Sequence, residues 1–107
     1  MLDKLKKVRD ALLTVTADVS HYFASKKTSQ YIVWMETGEA SSLMANNCKQ
    51  VQAIKGTIDY FTKKDFDQNV DDIQNALQAA EISYFLESVQ YEEETGYIHY
   101  EWKFEVV

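Results

Sequence analysis

The chain has 107 residues, of which 46% are hydrophobic and 26% are charged, and this composition is typical of one soluble globular domain over residues 1–107. It excludes intrinsic disorder, and no apolar run is long enough for a membrane-spanning helix. The single cysteine, Cys48, excludes an internal disulfide and a cysteine-based zinc finger. We therefore expect a cytoplasmic chain that begins at Met1.

The formal net charge of −6 is unevenly distributed along the chain. Residues 1–30 contain six lysines or arginines and three aspartates, a net charge of +3, whereas residues 31–107 contain five lysines and fourteen acidic residues, a net charge of −9. Residues 81–107 carry seven glutamates and one lysine, a net charge of −6. This balance argues against sequence-specific binding of nucleic acid, which needs clustered cations. Charge alone allows two interpretations. In one, the positive segment of one copy contacts the acidic segment of the next in a ring; in the other, the chain has a dipolar surface without a partner.

Two segments have the apolar spacing that predicts an amphipathic helix. The apolar stripe of the first comprises Leu2, Leu5, Val8, Leu12, Val15 and Val19. The apolar face of the second comprises Phe66, Val70, Ile73, Leu77 and Ala80. Thr62 and Asp65 are the candidate N-caps of the second helix, and Asp67 lies in its predicted first turn, where the helix dipole favours a negative charge.

Four segments are predicted as strands from their β-branched and aromatic content, and they cover residues 30–36, 51–62, 82–91 and 97–107. Gly56 inside the second strand indicates a bulge or a close backbone contact. The last strand alternates apolar and polar side chains, which predicts one buried face. A polar segment over residues 36–49 follows the first strand, and Gly96 ends a predicted turn between the last two strands.

The resulting order of elements, α-β-β-α-β-β, predicts the α+β class. We expect a two-layer sandwich in which a four-stranded sheet carries both helices on one face. The other face of the sheet has mixed polarity, which suits contact with solvent or with another subunit.

Titratable residues do not form a catalytic or metal-binding pattern. Cys48 has no histidine signature around it, and His99 and Glu101 share one strand face but provide only two potential metal ligands. Glutamates 92–94 lie at a predicted hairpin tip, and the aspartates at 65–72 lack the glycine and terminal glutamate of a calcium loop. We therefore expect that the protein has no catalytic residue, binds no metal or cofactor and is not an enzyme.

Three stretches of the chain resemble the tail terminator (tail-completion) proteins of long-tailed bacteriophages and prophages. The first is the strand Tyr31 to Glu36, which is followed by a long loop. The second runs from Gly56 to Ile73 and joins a strand to a helix, and the third runs from Glu94 to Trp102 and contains a turn and the last strand. The resemblance extends over residues 5–107, and its motifs are structural.

The resemblance implies a structural protein that forms a homo-oligomeric, hexameric ring on the last ring of the tail tube. Such a ring stops tube growth and presents the surface that joins the head. The implied partners are further copies of the chain, the major tail tube protein and the head–tail connector protein. DNA passes through the lumen without sequence-specific binding, no membrane is involved, and the protein is located in the tail of the virion after assembly in the host cytoplasm.

The resemblance also implies that segment 36–49 is a loop that becomes ordered on assembly. This segment and the acidic hairpin supply the residues that we expect at an oligomer or partner interface, namely Glu36, Glu39, Leu43, Met44, Glu92, Glu93, Glu94 and Tyr97. Two alternatives stay open. One is a head–tail joining (adaptor or stopper) protein, and the other is a cytoplasmic module that binds another protein through its sheet face.

Overall fold

In the computed structural model, which describes residues 1–40 and 52–107, two helices cover one face of a five-stranded mixed sheet. The elements in chain order are α1 (Leu2–Leu13), β1 (Val19–His21), β2 (Gln30–Glu39), β3 (Ile54–Thr62), α2 (Gln68–Ala79), β4 (Ser83–Glu92) and β5 (Tyr97–Val106). The strands lie in the order β1-β2-β3-β5-β4, so β1 and β4 form the two edges. The predicted α+β class is confirmed, whereas the predicted four-stranded sheet lacks one strand that the structure contains.

The additional strand is β1, which pairs in parallel with β2. The helical spacing wrongly extends the first helix to Val19, because α1 ends at Leu13 and Val19 is the first residue of β1. Directly after the helix, the hydroxyl of Thr14 donates to the carbonyl of Ala11 at 2.6 Å. Val15 and Val19 still pack against the core. Their apolar side chains therefore indicate that these positions are buried, and not that they belong to the helix. A strand of three residues is too short to show a period of two in the sequence.

The core lies between the two helices and one face of the sheet. Val8 and Leu12 of α1 and Ile73 and Leu77 of α2 are fully buried. The sheet contributes Ile32, Trp34, Ile54, Ile58, Tyr60, Trp102, Phe104 and Val106. Burial of each large aliphatic side chain stabilises the fold by about 1.5–3 kcal/mol. None of the helices in the described part of the chain has the length and apolar character needed to cross a membrane.

Gly56 lies where a larger residue would not fit. A Cβ atom at this position would be 2.2 Å from the carbonyl oxygen of Met35 and 2.7 Å from the ring of Phe104. The close backbone contact predicted from the sequence is therefore confirmed. The pairing irregularity lies opposite, in β2, between Glu36 and Gly38.

The start of α2 differs from the sequence prediction. Its N-cap is Asp67, whose Oδ1 accepts a hydrogen bond from the backbone N–H of Asn69 at 2.9 Å. Thr62 and Asp65 are therefore not the caps, since Thr62 ends β3 and Asp65 is exposed. Phe66 does not belong to the apolar face, because it precedes the helix with a left-handed φ of 54° and its side chain is 92% exposed.

Asp67 also connects α2 to the sheet. Its Oδ2 accepts hydrogen bonds from the hydroxyl of Tyr60 at 2.5 Å, from the hydroxyl of Thr62 at 2.7 Å and from Nε2 of Gln30 at 2.7 Å. Burial raises the pKa of Asp67, but hydrogen bonds from Tyr60, Asn69 and Thr62 outweigh burial, so the pKa lies below its ordinary value. Burial and the bond to Asp67 raise the pKa of Tyr60 to about 12.

Asp67→Ala should lower the free energy of unfolding by about 2–4 kcal/mol, because it removes a helix cap and leaves buried hydroxyl groups without an acceptor. Urea unfolding followed by circular dichroism measures the change. Asp65→Ala is the matched control, since Asp65 is exposed, and it should change stability by less than about 0.5 kcal/mol. Equal effects of the two substitutions would show that Asp67 does not anchor α2.

The lowered pKa of Asp67 also predicts a dependence of stability on pH. The carboxylate contributes stability that is fully present above its unfolded pKa, about 4, and is lost as the pH falls through the lower folded pKa. The difference in unfolding free energy between the wild type and Asp67→Asn should therefore be largest at neutral pH and shrink below about pH 4. A difference that stays constant down to pH 2 would contradict this assignment.

Candidate functional site

The β4 edge exposes a set of large apolar side chains. No residue of β4 is fully buried, because the helices leave the outer part of this strand uncovered. Among the described residues, β4 pairs only with β5. We call the exposed apolar residues of this strand, which are between 44% and 65% accessible, the β4 edge surface: Phe85, Leu86, Val89 and Tyr91.

A β-bulge arranges three of these side chains on one face. Leu86 pairs with Trp102, Val89 with Tyr100 and Tyr91 with Ile98. The three partners alternate along β5 and therefore share the face that bears the helices. Without the register shift between Leu86 and Ser88, a spacing of three residues would put Leu86 and Val89 on opposite faces. The bulge thus converts an irregular apolar pattern into a continuous stripe.

The opposite edge is basic and aromatic. The segment over residues 22–29 follows β1 and returns the chain to β2. Tyr22 and Phe23 are 54% and 72% exposed, and Lys26 and Lys27 are also exposed. We call these four residues the β1 edge surface. Helix α1 contacts β1 and exposes Lys6 and Arg9.

A histidine, a tyrosine and a glutamate fix the β1 edge. Nε2 of His21 lies 2.7 Å from Oε1 of Glu36, and the hydroxyl of Tyr22 donates to Oε2 of Glu36 at 2.5 Å. The His21 ring stacks on Tyr22 at 3.8 Å and on Trp34 at 4.1 Å. Burial raises the pKa of Glu36, but the bonds from Tyr22 and His21 outweigh it and leave the pKa below its ordinary value. These contacts hold Tyr22 at a left-handed φ of 76°.

The acidic hairpin tip lies next to the same segment. Glu92, Glu93 and Glu94 are exposed, and the predicted turn is confirmed, with Gly96 at a φ of 79°. Tyr97 follows the turn and is partly buried. Its hydroxyl donates to the carbonyl of Thr28 at 2.6 Å, and the ammonium group of Lys63 lies 4.9 Å from the centre of its ring.

The predicted interface residues in the described part of the chain lie toward two opposite ends of the sheet. Glu36 and Glu39 belong to β2, which extends three residues beyond the predicted end of the strand, and Gln52 donates to Glu39 at 3.3 Å. In the sheet register, Glu39 aligns with Ile54 and Val106, at the end opposite to the tip formed by residues 92–97. Leu43, Met44 and Cys48, and with them most of the predicted loop, lie outside the described residues.

The sheet face without helices is of mixed polarity, as predicted, with charged residues such as Asp59, Glu101 and Lys103, and it also carries an aromatic cluster. Tyr31 stacks on Phe61 at 4.8 Å, and Phe61 stacks on His99 at 4.3 Å. Nε2 of His99 lies 2.7 Å from Oδ1 of Asp59, and this hydrogen bond raises the pKa of His99. Next to the cluster lies an open cavity of about 350 Å³, to which Lys27 also contributes.

In an NMR titration, the His99 imidazole should titrate above 6.5, and Asp59→Asn should bring its pKa back toward that value. Since the folded pKa is raised, the stabilising contribution is complete below about pH 6.5 and is lost as the pH rises through the folded pKa. Glu101→Gln is the control, because Glu101 acts on the same ring only through its charge and should lower the pKa less. A larger effect of the control would contradict the Asp59 assignment.

Sequence reasoning missed both edge surfaces. The signal for the β4 edge was present as apolar residues in consecutive positions, Phe85 and Leu86, in a strand without clean alternation.

Comparison of the chain with models of protein families and with curated proteins finds no match. Within residues 1–40 and 52–107, no group of three histidine, cysteine, aspartate or glutamate residues could hold a metal ion. The two edges of the sheet are therefore the strongest candidate site.

Proposed function

We propose that the protein is a tail terminator of a phage or prophage, a structural subunit that forms a ring, caps the tail tube and joins the head–tail connector protein. The observation that carries the proposal is that both edges of one sheet expose apolar side chains, Phe85, Leu86, Val89 and Tyr91 on β4 and Tyr22 and Phe23 directly after β1. A subunit with two different, complementary surfaces associates head to tail, and such contacts form a ring when the rotation between subunits closes. The sequence resemblance supplies the type of assembly, including six subunits.

The charge of the chain suits a ring through which DNA passes. With a net charge of −6, the subunit repels phosphate groups and offers no sequence-specific grip on them. In this proposal the partners are further copies of the chain, the major tail tube protein and the connector. The protein is then located in the virion tail, does not act as an enzyme and assembles in the host cytoplasm.

Two other functions compete with this one. A head–tail joining protein would share the ring but bind the portal-side adaptor instead of the tail tube. A cytoplasmic binding module would use the sheet face without helices, and the open cavity beside Tyr31, Phe61 and Tyr97 favours that function. The apolar side chains exposed at both edges favour the terminator, because a module that binds one partner does not need two separate surfaces.

Co-expression with the major tail tube protein of the same phage or prophage tests the proposal. Electron microscopy should show tubes of limited length with a ring at one end, because the terminator blocks further addition of tube subunits. The tube protein expressed alone is the control and should give longer, uncapped tubes. Tubes of equal length in both samples, without rings, would refute the terminator, and rings that bind only the portal-side adaptor would identify a joining protein.

A further inference from the structure

We propose that the open cavity on the sheet face without helices binds a dipolar ligand, which carries a flat cation at one end and an anionic group at the other. The guanidinium and carboxylate groups of arginine have this chemistry, either in the free amino acid or at the carboxyl end of a chain. The site does not depend on the proposed ring, because its lining belongs to one copy of the chain.

The cavity is built on the part of the sheet that the helices leave uncovered. Tyr31, Val33 and Phe61 of the two central strands line it together with residues of segment 22–29 and of the hairpin tip. Tyr31 is only 6% exposed, although it lies on the face without helices. The volume of about 350 Å³ is at the small end of the range for ligand pockets, about 300–1,000 Å³. The cavity therefore suits one small ligand rather than a large cofactor.

Aromatic rings give the cavity a wall on which a flat cation stacks. Tyr31 stacks on Phe61 at 4.8 Å, and Tyr97 stands edge-on to both rings, with interplanar angles of 87° and 82°. The ring of Tyr97 already contacts one cation, because the ammonium group of Lys63 lies 4.9 Å from its centre. A guanidinium group is flat and weakly hydrated, and it therefore suits stacking on such rings.

Two carboxylates supply acceptors for the cation. Asp59 lines the cavity with a side chain that is 24% exposed, and its Oδ1 is bonded to His99. Glu92 lines it as well, and its charge adds to the raised pKa of Tyr31, of which burial is the main cause. The charge of Glu92 also adds to the raised pKa of His99, after the hydrogen bond to Asp59. Carboxylates of this kind accept paired hydrogen bonds from a guanidinium group.

Lys27 supplies a charge of the opposite sign to the same cavity. Within residues 1–40 and 52–107, no ion pair joins Lys27 to Asp59 or to Glu92. A ligand with a cation alone would be repelled by Lys27, and a ligand with an anion alone would be repelled by the two carboxylates. A ligand with both signs is attracted by all three side chains, and this complementarity selects the dipolar class.

The lining is held in place before a ligand binds. The hydroxyl of Tyr97 donates to the carbonyl of Thr28 at 2.6 Å and connects the hairpin to segment 22–29. The contact between His99 and Asp59 at 2.7 Å fixes the orientation of that carboxylate. A preorganised site loses little conformational entropy on binding, which favours a small ligand.

An NMR titration of the isotope-labelled protein with L-arginine, at constant pH and ionic strength, tests the site. Saturable shift changes should be confined to the residues that line the cavity, with a Kd of about 1–10 mM. L-citrulline has a neutral group in place of the guanidinium, and agmatine lacks the carboxylate. Each should bind about three- to tenfold more weakly than L-arginine. Shifts that do not saturate, or that are equal for the three compounds, would overturn the proposal.

Two variants assign the two ends of the ligand. Glu92→Gln should weaken binding of L-arginine and agmatine by about fivefold and leave citrulline unchanged, because only the first two carry the cation. Lys27→Gln should weaken binding of L-arginine and citrulline by about fivefold and should not weaken agmatine. The matched controls, Glu93→Gln and Lys26→Gln, remove the same charges from adjacent residues and should change each Kd by less than about twofold. Dispersed spectra check that each variant folds. Cavity variants that behave like their controls would refute the site.

A peptide of three glycines followed by a C-terminal arginine distinguishes the two sources of the ligand. If the end of a chain is the ligand, the peptide should bind at least as tightly as L-arginine, and amidation of its carboxylate should weaken binding by about fivefold. If the free amino acid is the ligand, the peptide should bind more weakly than L-arginine, because an amide replaces the α-ammonium group. Absence of saturable binding by both compounds would overturn the proposal and leave the terminator untouched.

Discussion

The buried carboxylate of Asp67 is the interaction on which the arrangement of the layers depends. Its two oxygens accept four hydrogen bonds, from Gln30 in β2, Tyr60 and Thr62 in β3 and the backbone of Asn69 in α2. A buried charge is tolerated only when donors replace its lost water, and Asp67 has donors from three elements. Because the donors belong to fixed positions on two strands, the start of α2 can occupy only one place above the sheet.

This placement determines which parts of the sheet stay uncovered. From Asp67, α2 crosses above β5, where Gln74 accepts a hydrogen bond from the indole of Trp102 at 3.0 Å, and leads through the buried Ile82 into β4. The helix thus covers the beginning of β4, and the side chains from Leu86 to Tyr91 extend beyond it. The exposed stripe is a consequence of where the helix is anchored.

Two acidic side chains are also held by hydrogen bonds within the chain. Glu36 and Asp59 are engaged within the chain by His21 and His99. The exposed Lys27 and Glu92 line the same open cavity on the sheet face without helices, so charges of opposite sign lie near each other within one chain. The proposed ring would use the two unlike edges of the sheet, β1 and β4, in a head-to-tail contact.

The sequence by itself determined the class of fold, both helices, the four longer strands, the close contact at Gly56 and the uneven distribution of charge along the chain. Those features follow from short-range periodicity and composition, which are properties of neighbouring residues. Tertiary structure alone decided the three-residue strand β1, the choice of Asp67 over Thr62 and Asp65 as the cap, and the exposure of Phe66. It also decided the candidate site, because the bulge after Leu86 and the coverage by α2 set which apolar side chains of β4 face outward. The physical reason is that these features depend on contacts between residues that are far apart in the chain. Strand pairing, the hydrogen bonds to Asp67 and the partial coverage of β4 by α2 are such contacts, and local sequence patterns do not show which distant residues meet.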